Sequence, residues 1–251
     1  MFGFGKAECP LDEEMKGWME ARFNWLLDKF GRDRVQAMDV ITPTDDNFPF
    51  PLDGSLEAGQ RMFDLVCDFM DVEDGEAEFE LFDPQRMKFP AGMPYEWKEE
   101  GAAGYYKEEG YRTVAVSEEL LAEPEAFVGT VAHELGHVIL IGRRYLDPRE
   151  TSDHEPLTDL HTAFFGMGIF SANSSLRERQ YEKLGMHGWS TSRKGYLDFP
   201  MWGYAHALLS HVRGEIKPEW AGFLRPDIRM HYKAGLKYIR KTGDTSVKGQ
   251  G

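Results

Sequence analysis

Positions 130–140 read TVAHELGHVIL and place two histidines and a glutamate inside an otherwise apolar run. His133, Glu134 and His137 form the pattern H-E-x-x-H. Helical residues four apart lie on one face, with Cβ atoms roughly 5–6 Å apart, so both imidazoles can reach one metal ion. Glu134 follows His133 by about 100° around the axis, close enough to hold a water beside that ion. The spacing therefore predicts two zinc ligands and a general base.

The residues around this pattern predict a largely buried helix over about 124–141 that ends near Gly142. An apolar set lies opposite the histidines, and a small set lies beside them. The first comprises Val128, Val131, Leu135, Val138 and Ile139, and the second comprises Gly129, Thr130 and Gly136. We expect the small residues to leave room for a metal ion, a water and a substrate. The alternative is a chance match in which both histidines are hydrogen-bonded core residues.

H-E-L-G-H on an apolar helix, after a strand such as YRTVAV at 111–116, resembles the zincin metallopeptidases. The resemblance implies that His133 and His137 ligate zinc and that Glu134 activates a water. It also implies an α+β fold, with a small mixed or antiparallel sheet packed on this helix and a mostly helical C-terminal part. Zincins hold the peptide substrate as an extra strand beside the sheet. The segment GAAGYY at 101–106 fits such an edge and fits an ordinary turn equally well.

A catalytic zinc needs a third protein ligand and an open position for water. The metzincin extension requires a glycine and a histidine where this chain has Leu140 and Arg143, so that subgroup is excluded. Glu155 and Asp159 follow on a second predicted helix and share its polar stripe. This E-x-x-x-D pattern resembles the glutamate-ligand zincins, or gluzincins. The resemblance implies that Glu155 binds zinc and that Asp159 orients a ligating histidine through its second ring nitrogen.

A different role competes for Glu155. Ser152-x-x-Glu155 is a capping-box pattern, in which the glutamate only satisfies the start of a helix. We favour ligation because Asp153 offers an alternative cap. If Glu155 only caps, Asp159 becomes the next ligand to consider.

Four further residues carry weaker predictions. His154 and His161 point roughly 140–160° away from the Glu155 stripe of the predicted helix over about 153–170, so His161 in particular is expected to be packed or hydrogen-bonded. Peptide hydrolysis also needs a donor for the developing oxyanion. Tyr196, in a glycine-containing loop, and His206, on a predicted helix, are the preferred donors, and structural packing is the competing interpretation for both.

The composition narrows the class of protein. The 251 residues are 41% hydrophobic and 29% charged, which predicts one globular domain over 1–251. A division into an α/β part, 1–142, and a helical part, 143–251, is the alternative. The net charge of −14 argues against nucleic acid and anionic membranes as partners. Cys9 and Cys67 form no C-x-x-C pattern, and no signal-like or spanning apolar segment is recognised, so a cytoplasmic location is expected.

The sequence therefore predicts a zinc metallopeptidase with one zinc ion and a peptide or protein substrate. The alternative is a metal-stabilised binding or regulatory protein that keeps a zincin scaffold without turnover. A third, weaker interpretation is a zinc hydrolase acting on a non-peptide amide. The coordination shell separates the first two: three protein ligands and water favour an enzyme. A fourth side chain, from Asp159 or His154, favours a structural metal.

Overall fold

The computed structural model of the chain describes residues 7–83, 103–109, 111–175 and 197–249. The α-helices are α1 Glu13–Phe30, α2 Arg32–Ala37, α3 Leu56–Phe69, α4 Pro124–His137, α5 His154–Phe164, α6 Phe199–Arg213 and α7 Pro226–Thr242. The strands are β1 Glu78–Phe82, β2 Gly104–Glu109 and β3 Tyr111–Ser117. Short 3₁₀-helices cover Glu118–Ala122 and Glu219–Gly222, and residues 168–175 are also helical. No helix in these ranges is long and apolar enough to cross a membrane.

The three strands form one small mixed sheet. Its order is β1-β3-β2, with β1 parallel and β2 antiparallel to the central strand β3. Val114, Ala115 and Val116 of β3 are fully buried, and α4 packs against both β2 and β3. The described chain is therefore α+β, with a small sheet on the H-E-x-x-H helix and a mostly helical C-terminal part, which confirms the coarse prediction.

Three helices begin with the same local device, in which a side-chain oxygen accepts a hydrogen bond from a backbone N–H of the first turn. The pairs are Asp12 with Met15, Ser55 with Ala58 and Asp198 with Met201, at 2.8, 3.1 and 3.0 Å. The predicted boundaries at 12–30 and 55–72 agree with α1 and α3 to within a few residues. Helix α5 begins without such a bond among the described residues.

The helix predicted over 153–170 is interrupted. Helix α5 ends at Phe164, and Gly166 has a φ of 82°, which is open to glycine but not to helical residues. A Cβ there would lie 2.4 Å from the carbonyl oxygen of Asp39. The backbone near Asp39 therefore leaves room only for glycine where the helix is interrupted. Helical structure resumes at 168–175 and so extends past the predicted end at 170. Residues 176–196 lie outside the described residues.

The C-terminal end of the H-E-x-x-H helix is a π-helical turn, Val138–Gly142. Arg112 of β3 donates from Nη2 to the carbonyl oxygen of Gly142 at 2.5 Å. Glu76, just before β1, accepts two hydrogen bonds from Arg143 at 2.7 Å and one from Arg112 at 3.3 Å. These charge-assisted contacts fix the end of the helix to the sheet.

Helices α4 and α5 approach each other closely at Gly136. A Cβ at this position would lie 2.7 Å from Thr158 Cγ2 and 3.5 Å from His161 Nδ1. A Cβ on Gly129 would likewise lie 3.0 Å from the backbone of Phe170. The expectation that these small residues leave room for metal and substrate is therefore wrong, because neighbouring helices occupy the space beside them.

Replacing Gly136 with alanine should separate the two helices. We expect Gly136→Ala to lower the free energy of unfolding of the metal-free protein by about 1–3 kcal/mol through overpacking. Gly17→Ala is the matched control, because Gly17 lies on the exposed side of α1 and a Cβ there meets no described atom within 4 Å. That control should be neutral or stabilising by up to about 1 kcal/mol. Equal urea midpoints for the two variants would contradict the close packing.

Candidate metal centre

His133 and His137 of α4 converge with Glu155 of α5. Glu155 Oε2 lies 3.1 Å from His133 Nε2 and 3.3 Å from His137 Nε2, and one ligand atom from each residue lies within 4.8 Å of the others. Ligand atoms of one tetrahedral zinc with bonds of about 2.0–2.1 Å are about 3.3–3.4 Å apart. Both distances from the carboxylate oxygen to the imidazole nitrogens are therefore near those of a shared zinc ion. That zinc binds there stays a prediction.

The carboxylate of Asp159 orients the ring of His133 through Nδ1, the nitrogen that does not face Glu155. His133 Nδ1 lies 2.9 Å from Asp159 Oδ1, and Asp159 Oδ2 accepts a hydrogen bond from the backbone N–H of Leu197 at 2.8 Å. With the proton on Nδ1, the ring donates to Asp159 and turns the lone pair of Nε2 toward Glu155. The structure thus places Asp159 in the supporting position that the gluzincin resemblance implies.

A hydroxyl orients the second histidine, and the sequence did not indicate it. Thr158 Oγ1 donates to the carbonyl oxygen of His154 at 2.8 Å and lies 3.3 Å from His137 Nδ1. Since its single proton is used on the carbonyl, the hydroxyl accepts from the Nδ1–H of His137. The Nε2 atom of His137 is then also free for a metal. The only sequence signal for Thr158 is its place beside Asp159 on the same helix.

The geometry of α5 speaks against the capping role of Glu155, and ligation by Glu155 stays a prediction. Within the described residues no side chain caps this helix. Glu155 faces the two histidines, and the carboxylate of Asp153 is bound by Trp18 and Arg22 of α1. Both residues that could have formed a cap therefore make tertiary contacts instead.

His154 lies at the edge of the cluster. Its Nδ1 atom is 3.4 Å from Glu155 Oε1, and its ring centroid is 6.1 Å from that of His137. The prediction that His154 points away from Glu155 is wrong. It rested on an ideal helical wheel, which gives the direction of each Cβ but not the reach of two long neighbouring side chains at the start of α5.

Charge and burial act against each other within the cluster. Burial disfavours the charged form of His133, but hydrogen bonds with Asp159 and Glu155 raise its pKa well above the usual value. Burial alone would raise the pKa of Glu155, yet the charge of His137 and hydrogen bonds with both histidines hold it well below its usual range. In the metal-free cluster the ionised carboxylate of Glu155 is thus paired with the imidazole of His133, and a metal ion bound between them would take the place of the proton on Nε2.

Glu134 lies on the same helix with 6% of its surface exposed. Burial raises the pKa of its carboxyl group, against the opposing charges of His137 and His133. A raised pKa makes the carboxylate a better proton acceptor near neutral pH. Glu134 thus has the environment that a general base requires.

The edge strand β2 begins beside Glu134. A Cβ on Gly104 would lie 3.1 Å from Glu134 Oε1 and 2.6 Å from Thr130 Cγ2. Only glycine therefore allows the strand to pass this close to the carboxylate. For the predicted segment 101–106, residues 104–106 are strand rather than turn, and 101–102 lie outside the described residues.

Of the two predicted oxyanion donors, His206 does not join the cluster. Tyr196 lies outside the described residues. His206 is buried on α6, its Nδ1 atom lies 2.7 Å from the carbonyl oxygen of Trp202, and its ring lies 5.7 Å from that of Trp220. Burial lowers its pKa to about 4. These contacts describe a packed histidine, which is the competing interpretation.

His161 is not a ligand either. It is fully buried, its ring stacks on Phe165 at 4.1 Å between centroids, and it meets Phe30 edge-on at 5.4 Å. Neither ring nitrogen has a hydrogen-bond partner in the described part of the chain. The packed histidine that the sequence predicted is therefore confirmed, without the hydrogen bond.

A large cleft lies elsewhere, at the N-terminal end of α4. It has a volume of about 1020 Å³ and is mostly apolar, with Phe48, Phe50, Val128 and Phe170 in its wall. None of its lining residues belongs to the cluster. Here it is the ligand geometry, rather than the size of a cleft, that locates the candidate site.

Metal analysis tests the ligand set. We expect the wild type to bind one zinc, Glu155→Gln to lose most of the affinity, and Asp159→Asn to bind about 10–100-fold more weakly. Glu215→Gln is the matched control, because Glu215 is a partly buried, hydrogen-bonded glutamate outside the cluster. Equal zinc retention by all four proteins would contradict the assignment.

The chain was compared with protein-family models, curated proteins and solved structures. No protein-family model, curated protein or solved structure matches the chain. The similarity to zincins therefore rests on the H-E-x-x-H pattern, on the downstream glutamate and aspartate, and on the contacts between them.

Proposed function

We propose that this chain is a zinc-dependent metallopeptidase of the gluzincin-like type, hydrolysing peptide bonds with Glu134 as general base. One observation carries the proposal: Glu155 Oε2 lies 3.1 and 3.3 Å from the Nε2 atoms of His133 and His137. Three zinc-type donors thus meet between α4 and α5, and α4 also carries the buried carboxylate of Glu134.

The chain's own groups would divide the chemistry as follows. His133, His137 and Glu155 would hold the metal. Zinc bound there would polarise a carbonyl and lower the pKa of a bound water toward neutral pH. Glu134 would accept a proton from the attacking water and pass it to the leaving amine. The burial that raises the pKa of Glu134 favours this proton acceptance.

The coordination shell supports an enzyme over a structural zinc. Three residues form the group among the described ones, whereas structural zinc sites are closed by four side chains. Asp159 is not available as a fourth ligand, because one oxygen meets His133 and the other accepts from Leu197. The side chain of Glu155 is 33% exposed, so the group opens toward solvent on that side.

The sheet supports a peptide as the substrate. Among the described strands β2 lies at the edge of the sheet, and its first residue, Gly104, lies beside Glu134. An extended peptide can add to such an edge through main-chain hydrogen bonds. A peptide bound there would run past the proposed general base. A small non-peptide amide does not need a strand edge for binding.

Removing the base while keeping its shape tests the mechanism. We expect Glu134→Gln to retain zinc and to lower kcat/KM for peptide hydrolysis by about 10²–10⁴-fold, because the amide cannot accept the proton. Zinc content and hydrolysis of a peptide library are measured on the same sample. Undiminished hydrolysis in this variant would show that the proposed mechanism is wrong.

The edge strand is tested separately. Gly104→Ala should shift β2 away from Glu134 and lower kcat/KM by about 10²-fold, since misplacement of a substrate by about 1 Å can cost this much. Zinc content should stay at the wild-type level, because Gly104 contacts no ligand. Gly17→Ala on α1 is the control for a glycine replaced without a clash. Wild-type kinetics in Gly104→Ala would remove β2 from the substrate site.

A further inference from the structure

Two side chains of the first helix bind a carboxylate that lies two residues before Glu155. Arg22 donates from Nε to Asp153 Oδ2 at 2.7 Å and from Nη2 to Oδ1 at 2.5 Å. Trp18, one turn earlier on α1, donates from Nε1 to Oδ2 at 2.7 Å. A two-point guanidinium contact fixes the direction of a carboxylate as well as its distance. Asp153 is therefore held in one orientation by α1.

The same residue type has another task at other helix starts in this chain. Asp12 and Asp198 have extended backbones, with ψ of 171° and 173°, and each caps its helix. Asp153 occupies the corresponding position of α5 with φ −110° and ψ 26°, and within the described residues it makes no capping bond. A local preference given up in this way is typical of a functional constraint.

Helix α1 is itself firmly held, so it can serve as a fixed support. Phe23 is fully buried and meets Phe164 of α5 edge-on, with centroids 5.5 Å apart. Glu20, also buried, accepts hydrogen bonds from the hydroxyl of Tyr204 and from the backbone N–H of Ser246, both at 2.8 Å. These contacts join α1 to α6 and to the C-terminal segment.

Glu155 needs such support more than the histidines do. The side chains of His133 and His137 are 9% and 8% exposed, whereas that of Glu155 is 33% exposed. Glu155 also lies in the first turn of an uncapped helix, where frayed ends are common. Packing holds the histidines, but the direction of Glu155 depends on how α5 begins.

We propose that Trp18 and Arg22 position Glu155 through Asp153, so that α1 sets the zinc affinity of the cluster. This inference rests on the zinc site of the proposed function. Trp18, Arg22 and Asp153 touch neither metal nor substrate in this scheme. They are positioning residues.

The test compares Arg22→Met and Arg22→Lys with the wild type. Arg225→Met is the matched control. Arg225 forms an ion pair with Asp227, with 2.8 Å between Nη2 and Oδ2, and this pair lies outside the cluster. The zinc dissociation constant is measured by chelator competition, and the visible spectrum of the cobalt-substituted protein reports the coordination geometry. The third measurement is the rate of amide hydrogen exchange at Leu157 in the metal-free protein. The N–H of Leu157 donates to the backbone carbonyl oxygen of Asp153 in the first turn of α5.

We expect Arg22→Met to bind zinc about 10–100-fold more weakly, to change the cobalt spectrum and to speed exchange at Leu157. Arg22→Lys should resemble it, because lysine keeps the charge but not the two-point contact. Arg225→Met should match the wild type in all three measurements. Wild-type zinc affinity in Arg22→Met, or an equal loss in Arg225→Met, would overturn the positioning role and leave the proposed peptidase intact. A wild type that binds no zinc would overturn both.

Discussion

The contact between Gly136 and Thr158 is the constraint on which the site depends. The proposed metal ligands come from two helices, so Glu155 reaches the histidines only when α4 and α5 lie close together. A Cβ on Gly136 would lie 2.7 Å from Thr158 Cγ2, which leaves glycine as the residue that permits this approach. Thr158 then serves both sides, since its methyl group packs on α4 while its hydroxyl orients His137.

The cluster is supported by a continuous set of hydrogen bonds rather than by separate pairs. One chain of contacts runs from the backbone of Leu197 through Asp159 to His133. Another runs from the backbone of His154 through Thr158 to His137. Satisfied buried networks of this kind hold their members in one geometry. The ligand atoms are therefore oriented before any metal arrives, which reduces the cost of ordering them on binding.

Residues that share a helix could be placed relative to one another from sequence, because helical spacing fixes their relative positions. This holds for His133 with His137 on α4 and for Glu155 with Asp159 on α5, whereas the pairing of the two helices came from the resemblance to gluzincins. The bounds of α1 and α3 could also be predicted from local patterns. Contacts between elements could not be predicted. Nothing in the spacing shows that Leu197 meets Asp159. The break at 165–167 and the close helix contact likewise depend on neighbouring chain that no local pattern reveals.

The proposed ligands lie close together in sequence, whereas the residues that hold Asp153 and Asp159 lie farther from them. His133 and Glu155 are 22 positions apart, but Arg22 and Asp153 are separated by 131 positions and Leu197 follows Asp159 by 38. A chain synthesised from its N-terminus presents α1 first, then the ligands, and Leu197 last. All three proposed ligands of the zinc site are therefore synthesised before Leu197, which holds the carboxylate behind His133. In the proposed site, a zinc ion would thus have its full set of ligands before the C-terminal helices are complete.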